Sequence, residues 1–175
     1  MYKPELIKNL FSQEDIDRLR AEVLDGSELK RDDYDEVCNR SVIEHHLLDS
    51  YFSRKALDDV RRIYEDESIE PTICIYSKYD SPDSFLPEHV DRNACEFNIS
   101  YVVSQQEPWP IIINGTKYYL EVGDAITYHG TNSRHSRGEL QETNNTEVEM
   151  LIFHYVSGSH WFFNHCDDFY PDSEL

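Results

Sequence analysis

The stretch Pro87-Glu88-His89-Val90-Asp91-Arg92-Asn93-Ala94-Cys95-Glu96-Phe97 sets an imidazole two residues before a carboxylate, just ahead of an apolar run. Along a strand, side chains alternate faces, so positions i and i+2 point the same way. His89 and Asp91 are therefore placed to grip one metal ion from one side. A third ligand belongs on a later strand, and His129, His135, His154, His160 and His165 are the candidates. Two histidines and one carboxylate on one face of an octahedral ion leave its opposite face open, an arrangement that suits Fe(II) and dioxygen. Zinc more often takes a closed tetrahedron.

The elements that must hold these ligands change character along the chain. The first third reads as helical. Ser12-Gln13-Glu14-Asp15 predicts a capping box, opening a helix through Val23 with Ile16, Leu19 and Val23 at helical spacing. A second helix is predicted from about Tyr51 to Glu65, with Leu57, Val60 and Ile63 on one stripe. From Pro71 the pattern turns to strands: Thr72–Tyr76, Phe97–Val103, Ala125–Tyr128 and Met150–Val156. Ile111-Ile112-Ile113 and Lys117-Tyr118-Tyr119-Leu120 flank Asn114-Gly115, a tight hairpin signature. Short strands with close turns and no helices between them predict an antiparallel sandwich or barrel.

Composition narrows the function classes. The chain has 175 residues, enough for one domain with a proper core. It carries 16 Lys and Arg against 35 Asp and Glu, a formal charge of −19. Such a surface repels phosphate backbones, so nucleic acid is a poor partner; it serves solubility first, and it also suits a basic substrate or peptide or a salty environment. No stretch of eighteen apolar residues is present, so no membrane span is expected. The amino terminus lacks an apolar signal-peptide core, and Cys38, Cys74, Cys95 and Cys166 form no CxxC pair. Reduced thiols and a cytoplasmic location are the expectation.

One context carries a resemblance. His135 follows a Gly123-Asp124 turn, the strand Ala125–Tyr128 and a short loop, 46 positions after His89. The order His-x-Asp, turn, strand, His resembles the Fe(II)- and 2-oxoglutarate-dependent dioxygenases, in particular the prolyl-4-hydroxylase-like group. Ile7–Glu14 is similar to that family's opening strand and first helix, and Tyr76-Ser77-Lys78-Tyr79 to its tyrosine-bearing strand. Trp109-Pro110-Ile111 and Phe153-His154-Tyr155-Val156 are similar to segments of a bacterial and phage-like subgroup. The likeness runs over roughly residues 5 to 157.

The resemblance implies a mainly β chain: a double-stranded β-helix (jelly roll, cupin-like) of about residues 71–157, helical support over about 1–70, and a tail from 158 to 175. It implies His89, Asp91 and His135 as the iron ligands. It implies 2-oxoglutarate as co-substrate, chelating Fe(II) while dioxygen takes the remaining position. Succinate and carbon dioxide are released, hydroxylation is the usual outcome, and ascorbate is expected as reductant. A peptide or protein side chain, or an amino-acid-like small molecule, is the implied substrate.

The chain departs from the family at one point. The cation that usually anchors the far carboxylate of 2-oxoglutarate is missing from Asn144–Glu149. Arg137 is the replacement expected, since it shares a face with His135 on an extended segment and offers a bidentate fork. Lys117 and Lys78 are weaker choices. Tyr76, Tyr79 and Asn98 are expected beside the co-substrate, with His154 and Tyr128 lining the pocket. The tail Ser159–His165 reads as packing. Two other functions fit the same ligands: a non-catalytic metal-binding jelly roll, and a cupin-type oxygenase without 2-oxoglutarate. The latter needs a third histidine, from His129 or His154.

Overall fold

In a computed structural model of the chain, the described residues are 3–19, 21, 33–44 and 49–158. Eleven strands among them form two antiparallel sheets. They are β1 (Glu5–Ile7), β2 (Asp33–Asp35), β3 (Arg40–Glu44), β4 (Glu70–Tyr79), β5 (Leu86–His89), β6 (Phe97–Ser104), β7 (Ile111–Ile113), β8 (Thr116–Tyr118), β9 (Ala125–His129), β10 (His135–Arg137) and β11 (Val148–Val156). The larger sheet runs β1-β9-β6-β11-β4-β3-β2, and the smaller β5-β10-β7-β8.

Two helices, α1 (Gln13–Leu19) and α2 (Arg54–Tyr64), back the larger sheet. The capping box at α1 forms as its residues dictate. Ser12 N donates to Asp15 Oδ2 at 2.9 Å, and Asp15 N donates to Ser12 Oγ at 3.2 Å. Burial alone would raise the Asp15 carboxyl. Hydrogen bonds from Lys55, Ser12 and Tyr51 outweigh it and hold the group well below the carboxylate range. The rest of the first helix, through Val23, lies largely outside the described residues. On α2 the stripe differs from the expected one: Ala56, Leu57, Val60 and Tyr64 are buried, and Ile63 sits at its edge.

The long strands are buried on both faces, and strand alternation divides the work. Phe97, Ile99, Tyr101 and Val103 of β6, Leu151, Phe153 and Tyr155 of β11, and Cys74 and Tyr76 of β4 join the core under the helices. The intervening Asn98, Ser100, Ile152 and His154 face the space between the sheets. A second core of Tyr79, Trp109, Ile111, Ile113, Leu120, Ile126 and Tyr128 fills one end of that space. The Asn114-Gly115 turn forms with φ of 49° and 78°, the two positive angles that join β7 to β8 tightly.

The region Asp33–Glu44, expected within the helical third, is instead a hairpin on the edge of the larger sheet. Its turn explains why. Asp35 Oδ1 accepts the backbone N–H of Val37 at 3.0 Å and of Cys38 at 3.2 Å, and Asn39 has φ of 49°. A side chain that satisfies its own backbone two and three residues on competes with helix formation.

Candidate metal centre

Strands β5 and β10 lie side by side in a register that sets His89 opposite His135. Their rings approach to 4.2 Å between centroids. Asp91 follows just past the end of β5, where its backbone N–H donates to the Gly130 carbonyl at 3.0 Å. One ligand atom each from His89, Asp91 and His135 lies within 4.8 Å of the others. His89 Nε2 stands 3.3 Å from Asp91 Oδ1, and His135 Nε2 3.6 Å from Asp91 Oδ2. Adjacent ligands on an octahedral ion at about 2.1 Å are themselves about 3 Å apart. The two carboxylate–imidazole separations are close to that spacing.

The histidine tautomers are fixed by the backbone. His89 Nδ1 donates to Pro87 O at 2.8 Å, and His135 Nδ1 to Ser133 O at 2.9 Å. A carbonyl only accepts, so each Nδ1 carries the proton and each Nε2 lone pair faces the site. The same carboxylate touches both rings, yet they shift in opposite directions. The Asp91 contact raises His89, which is partly open to solvent. Burial lowers His135, whose side chain is almost wholly enclosed. Asp91 itself is lowered. Burial opposes this, but His89, the charges of His135 and His154, and the Asn98 hydrogen bond prevail.

Behind Asp91 stands a buried chain of polar groups. Asn98 Nδ2 donates to Asp91 Oδ2, and Asn98 Oδ1 accepts from His154 Nδ1 at 2.5 Å. The pairing of β6 with β11 sets Asn98 opposite His154. Burial pushes His154 down to about 4, so it stays a neutral donor. Gly130 leaves the room this chain needs. A Cβ there would sit 2.7 Å from Asn98 Nδ2, 2.5 Å from the Cys95 carbonyl oxygen, and closer still to Asp91 Oδ2.

The ligands open into a cavity of about 380 Å³ between the sheets. Arg137 lines it from β10, on the same face as His135. Its guanidinium lies 5.1 Å from the Trp109 ring centroid, and Nη1 donates to the Trp109 carbonyl. Among the described residues, Nη2 is buried with no hydrogen-bond partner. Burial lowers this guanidinium from its usual range, yet an arginine stays cationic in proteins. A buried, unpartnered guanidinium N–H is costly, and an anion arriving in the cavity would satisfy it.

The expected residues sort by strand face. His89, Asp91, Asn98, Tyr128, Arg137 and His154 all line the cavity, as does Tyr79. Tyr76 does not. It lies three residues from Tyr79, on the opposite face of β4, and packs beneath the helices, where burial first and Glu149 second raise its phenol far above the usual range. Asn98 lines the cavity, but its amide is engaged by Asp91 and His154. Lys78 pairs with Glu147 at 2.7 Å, and neither Lys78 nor Lys117 reaches the cavity. His129 sits against Glu96 and the Phe97 ring, outside the ligand set. His160, His165 and the Ser159–His165 tail lie outside the described residues. Arg40, Arg92 and Gly130 were not singled out by sequence. Only the hairpin turn around Asp35 could have pointed to Arg40.

No family model matches the chain, and no curated sequence does. Solved structures match by shape. The viral collagen prolyl hydroxylase of Paramecium bursaria Chlorella virus-1, solved as a 2-oxoglutarate complex, superposes with a TM-score of 0.66 at 11% identity, covering 89% of this chain and 95% of that one. HygX of Streptomyces hygroscopicus, with nickel, 2-oxoglutarate and hygromycin B bound, gives 0.69 at 10% identity, over 89% and 83%. The α-ketoglutarate-dependent epimerase SnoN of nogalamycin biosynthesis gives 0.69 at 9% identity, over 88% and 78%. With two facing antiparallel sheets, helices outside and a His-Asp-His cluster at the cavity, the chain has the double-stranded β-helix fold of the 2-oxoglutarate–Fe(II) oxygenases.

Proposed function

We propose that this chain is an Fe(II)- and 2-oxoglutarate-dependent oxygenase, with hydroxylation of a small molecule or a protruding side chain as its reaction. The observation that carries this is one cavity holding both halves of the required machinery. The His89, Asp91 and His135 set presents two Nε2 lone pairs and a carboxylate within 4.8 Å of one another. Arg137 presents a buried N–H without a partner in the same space. The donor set thus fits the metal, and the orphaned guanidinium fits a dicarboxylate chelated to it.

Bound Fe(II) with 2-oxoglutarate supplies oxidation of a carbon–hydrogen bond by dioxygen, coupled to loss of carbon dioxide and formation of succinate. The chain's residues do the rest. His89, Asp91 and His135 would hold the ion at the cavity wall. Asn98, braced by His154, fixes the Asp91 carboxylate. Arg137 would receive the far carboxylate through Nη2, beside the Tyr79 and Trp109 rings, which are in edge contact at 4.9 Å. The cupin-type alternative finds no support in geometry: among the described residues, neither His129 nor His154 joins the ligand cluster.

The test is a visible spectrum of the protein with Fe(II) and 2-oxoglutarate under argon. A weak charge-transfer band is expected, absent in His135→Ala and requiring at least tenfold more 2-oxoglutarate in Arg137→Gln. Iron bound without a band would overturn the co-substrate. No bound metal would overturn the oxygenase. Under air, 2-oxoglutarate consumption sustained by ascorbate is the expected companion result.

A further inference from the structure

The cavity's charge is opposite to the molecule's. The chain carries a formal −19, yet the described residues lining the cavity include Arg40, Arg92 and Arg137 against one carboxylate, Asp91. Fe(II) would add two positive charges and 2-oxoglutarate two negative ones, so loading the site leaves that excess standing. Asp35, just outside the lining, offsets part of it through Arg40. A net cationic interior remains inside an acidic shell.

Two of these guanidiniums meet one aromatic pair, Arg137 at Trp109 and Arg40 at Tyr79. Arg137 packs over Trp109, and Trp109 meets Tyr79 edge to face. Arg40 Nη1 donates to the Tyr79 hydroxyl at 2.7 Å and to Ser77 Oγ at 3.2 Å. Arg40 Nε donates to Asp35 Oδ2 at 3.0 Å, and the Asp35 carboxylate is itself held by the Val37 and Cys38 N–H groups. Arg40 is thus a pre-organised cation, held by three groups before any ligand arrives. Holding it in place lowers the entropy cost of a later contact. Its side chain is 13% exposed, whereas Arg137 is buried.

We infer that Arg40 receives an anionic group of the substrate, and that the substrate is a small molecule bearing a carboxylate. This rests on the oxygenase reading, in which Arg137 is already committed to 2-oxoglutarate. A cavity of about 380 Å³ is at the small end of ligand pockets, and the co-substrate fills part of it. Net surface charge alone favours a basic partner, but the reacting end of a substrate meets the lining, and the lining is cationic.

The test uses [1-13C]acetate as a minimal carboxylate and acetamide as its uncharged match. Each is titrated anaerobically into protein loaded with Fe(II) and saturating 2-oxoglutarate, with Zn(II)-loaded protein as the diamagnetic reference. Saturable iron-induced relaxation of the acetate carbon is expected, with none for acetamide. Arg40→Gln should weaken that effect at least tenfold, and Arg40→Lys, which keeps the charge but loses the fork, should weaken it less. The charge-transfer band should persist in both variants, which also reports that they are folded. Equal relaxation in wild type and Arg40→Gln, or none in wild type, would overturn the inference. Loss of the band in both variants, with their circular dichroism unchanged, would overturn it too, assigning Arg40 to 2-oxoglutarate. A wild-type protein that forms no band would instead overturn the oxygenase reading.

Discussion

At the scale of single residues, the site depends on groups that never touch the metal. Asn98 spends both ends of its amide on Asp91 and His154. Removing such a partner commonly costs 10- to 100-fold in metal affinity. Asn98→Ala should therefore weaken Ni(II) binding by about that factor, measured by calorimetry, while the circular dichroism of the fold stays unchanged. Gly130→Ala should do the same by pushing directly on Asp91. His89 and Asp91 stand out in the sequence as an i, i+2 pair, although Asp91 lies past the end of β5, and only the family resemblance separates His135 from the other histidines. The support of these ligands was not legible, because Asn98 and His154 meet only through the β6–β11 register, 56 positions apart. Tyr76 and Tyr79 are three apart on one strand and so face opposite ways, which brings Tyr79 to the cavity and Tyr76 to the core under the helices. His154 also predicts a pH dependence. Its ordinary value near 6.5 falls to about 4 on folding, because it is buried. Above pH 6.5 both states are neutral there and its contribution is complete. As pH falls toward 4, the unfolded chain takes up a proton that the folded one refuses, so stability is lost, by about 3 kcal/mol over the window. Urea unfolding of metal-free protein should show that loss, and His154→Gln should lack this part of it.

At the scale of elements, the long strands β4, β6 and β11 read well because each buries both faces. Asn114-Gly115 announced its hairpin, and both residues adopt the positive φ it requires. Gly115 has open space around its missing Cβ, so the cost of substitution there is backbone strain alone. Gly115→Ala should lose about 1 kcal/mol in thermal unfolding and leave metal affinity intact. The β2–β3 hairpin was not legible. Its strands are short, and its turn is made by side-chain hydrogen bonds from Asp35 rather than by a Gly or Pro signal. That hairpin brings Arg40 to the cavity, so the element hardest to read is also the one on which the substrate reading rests.

At the scale of the whole molecule, an excess of nineteen negative charges acts on itself. Screening reduces that repulsion, so the melting temperature should rise between about 0.02 M and 0.5 M NaCl, where the screening length shortens several-fold. Calorimetric scans at fixed pH would show the trend, and a fall would contradict it. The paired register of His89 and His135 has a further effect at this scale. The two ligands belong to strands 46 positions apart, so an ion held by both works as a removable cross-link across the smaller sheet. Opening that sheet then requires the ion to leave first. Metal at a thousand times its dissociation constant would add about 4 kcal/mol against unfolding. Backbone amides of β5 and β10 should accordingly exchange with deuterium more slowly when metal is present, and a chelator should restore the original rate.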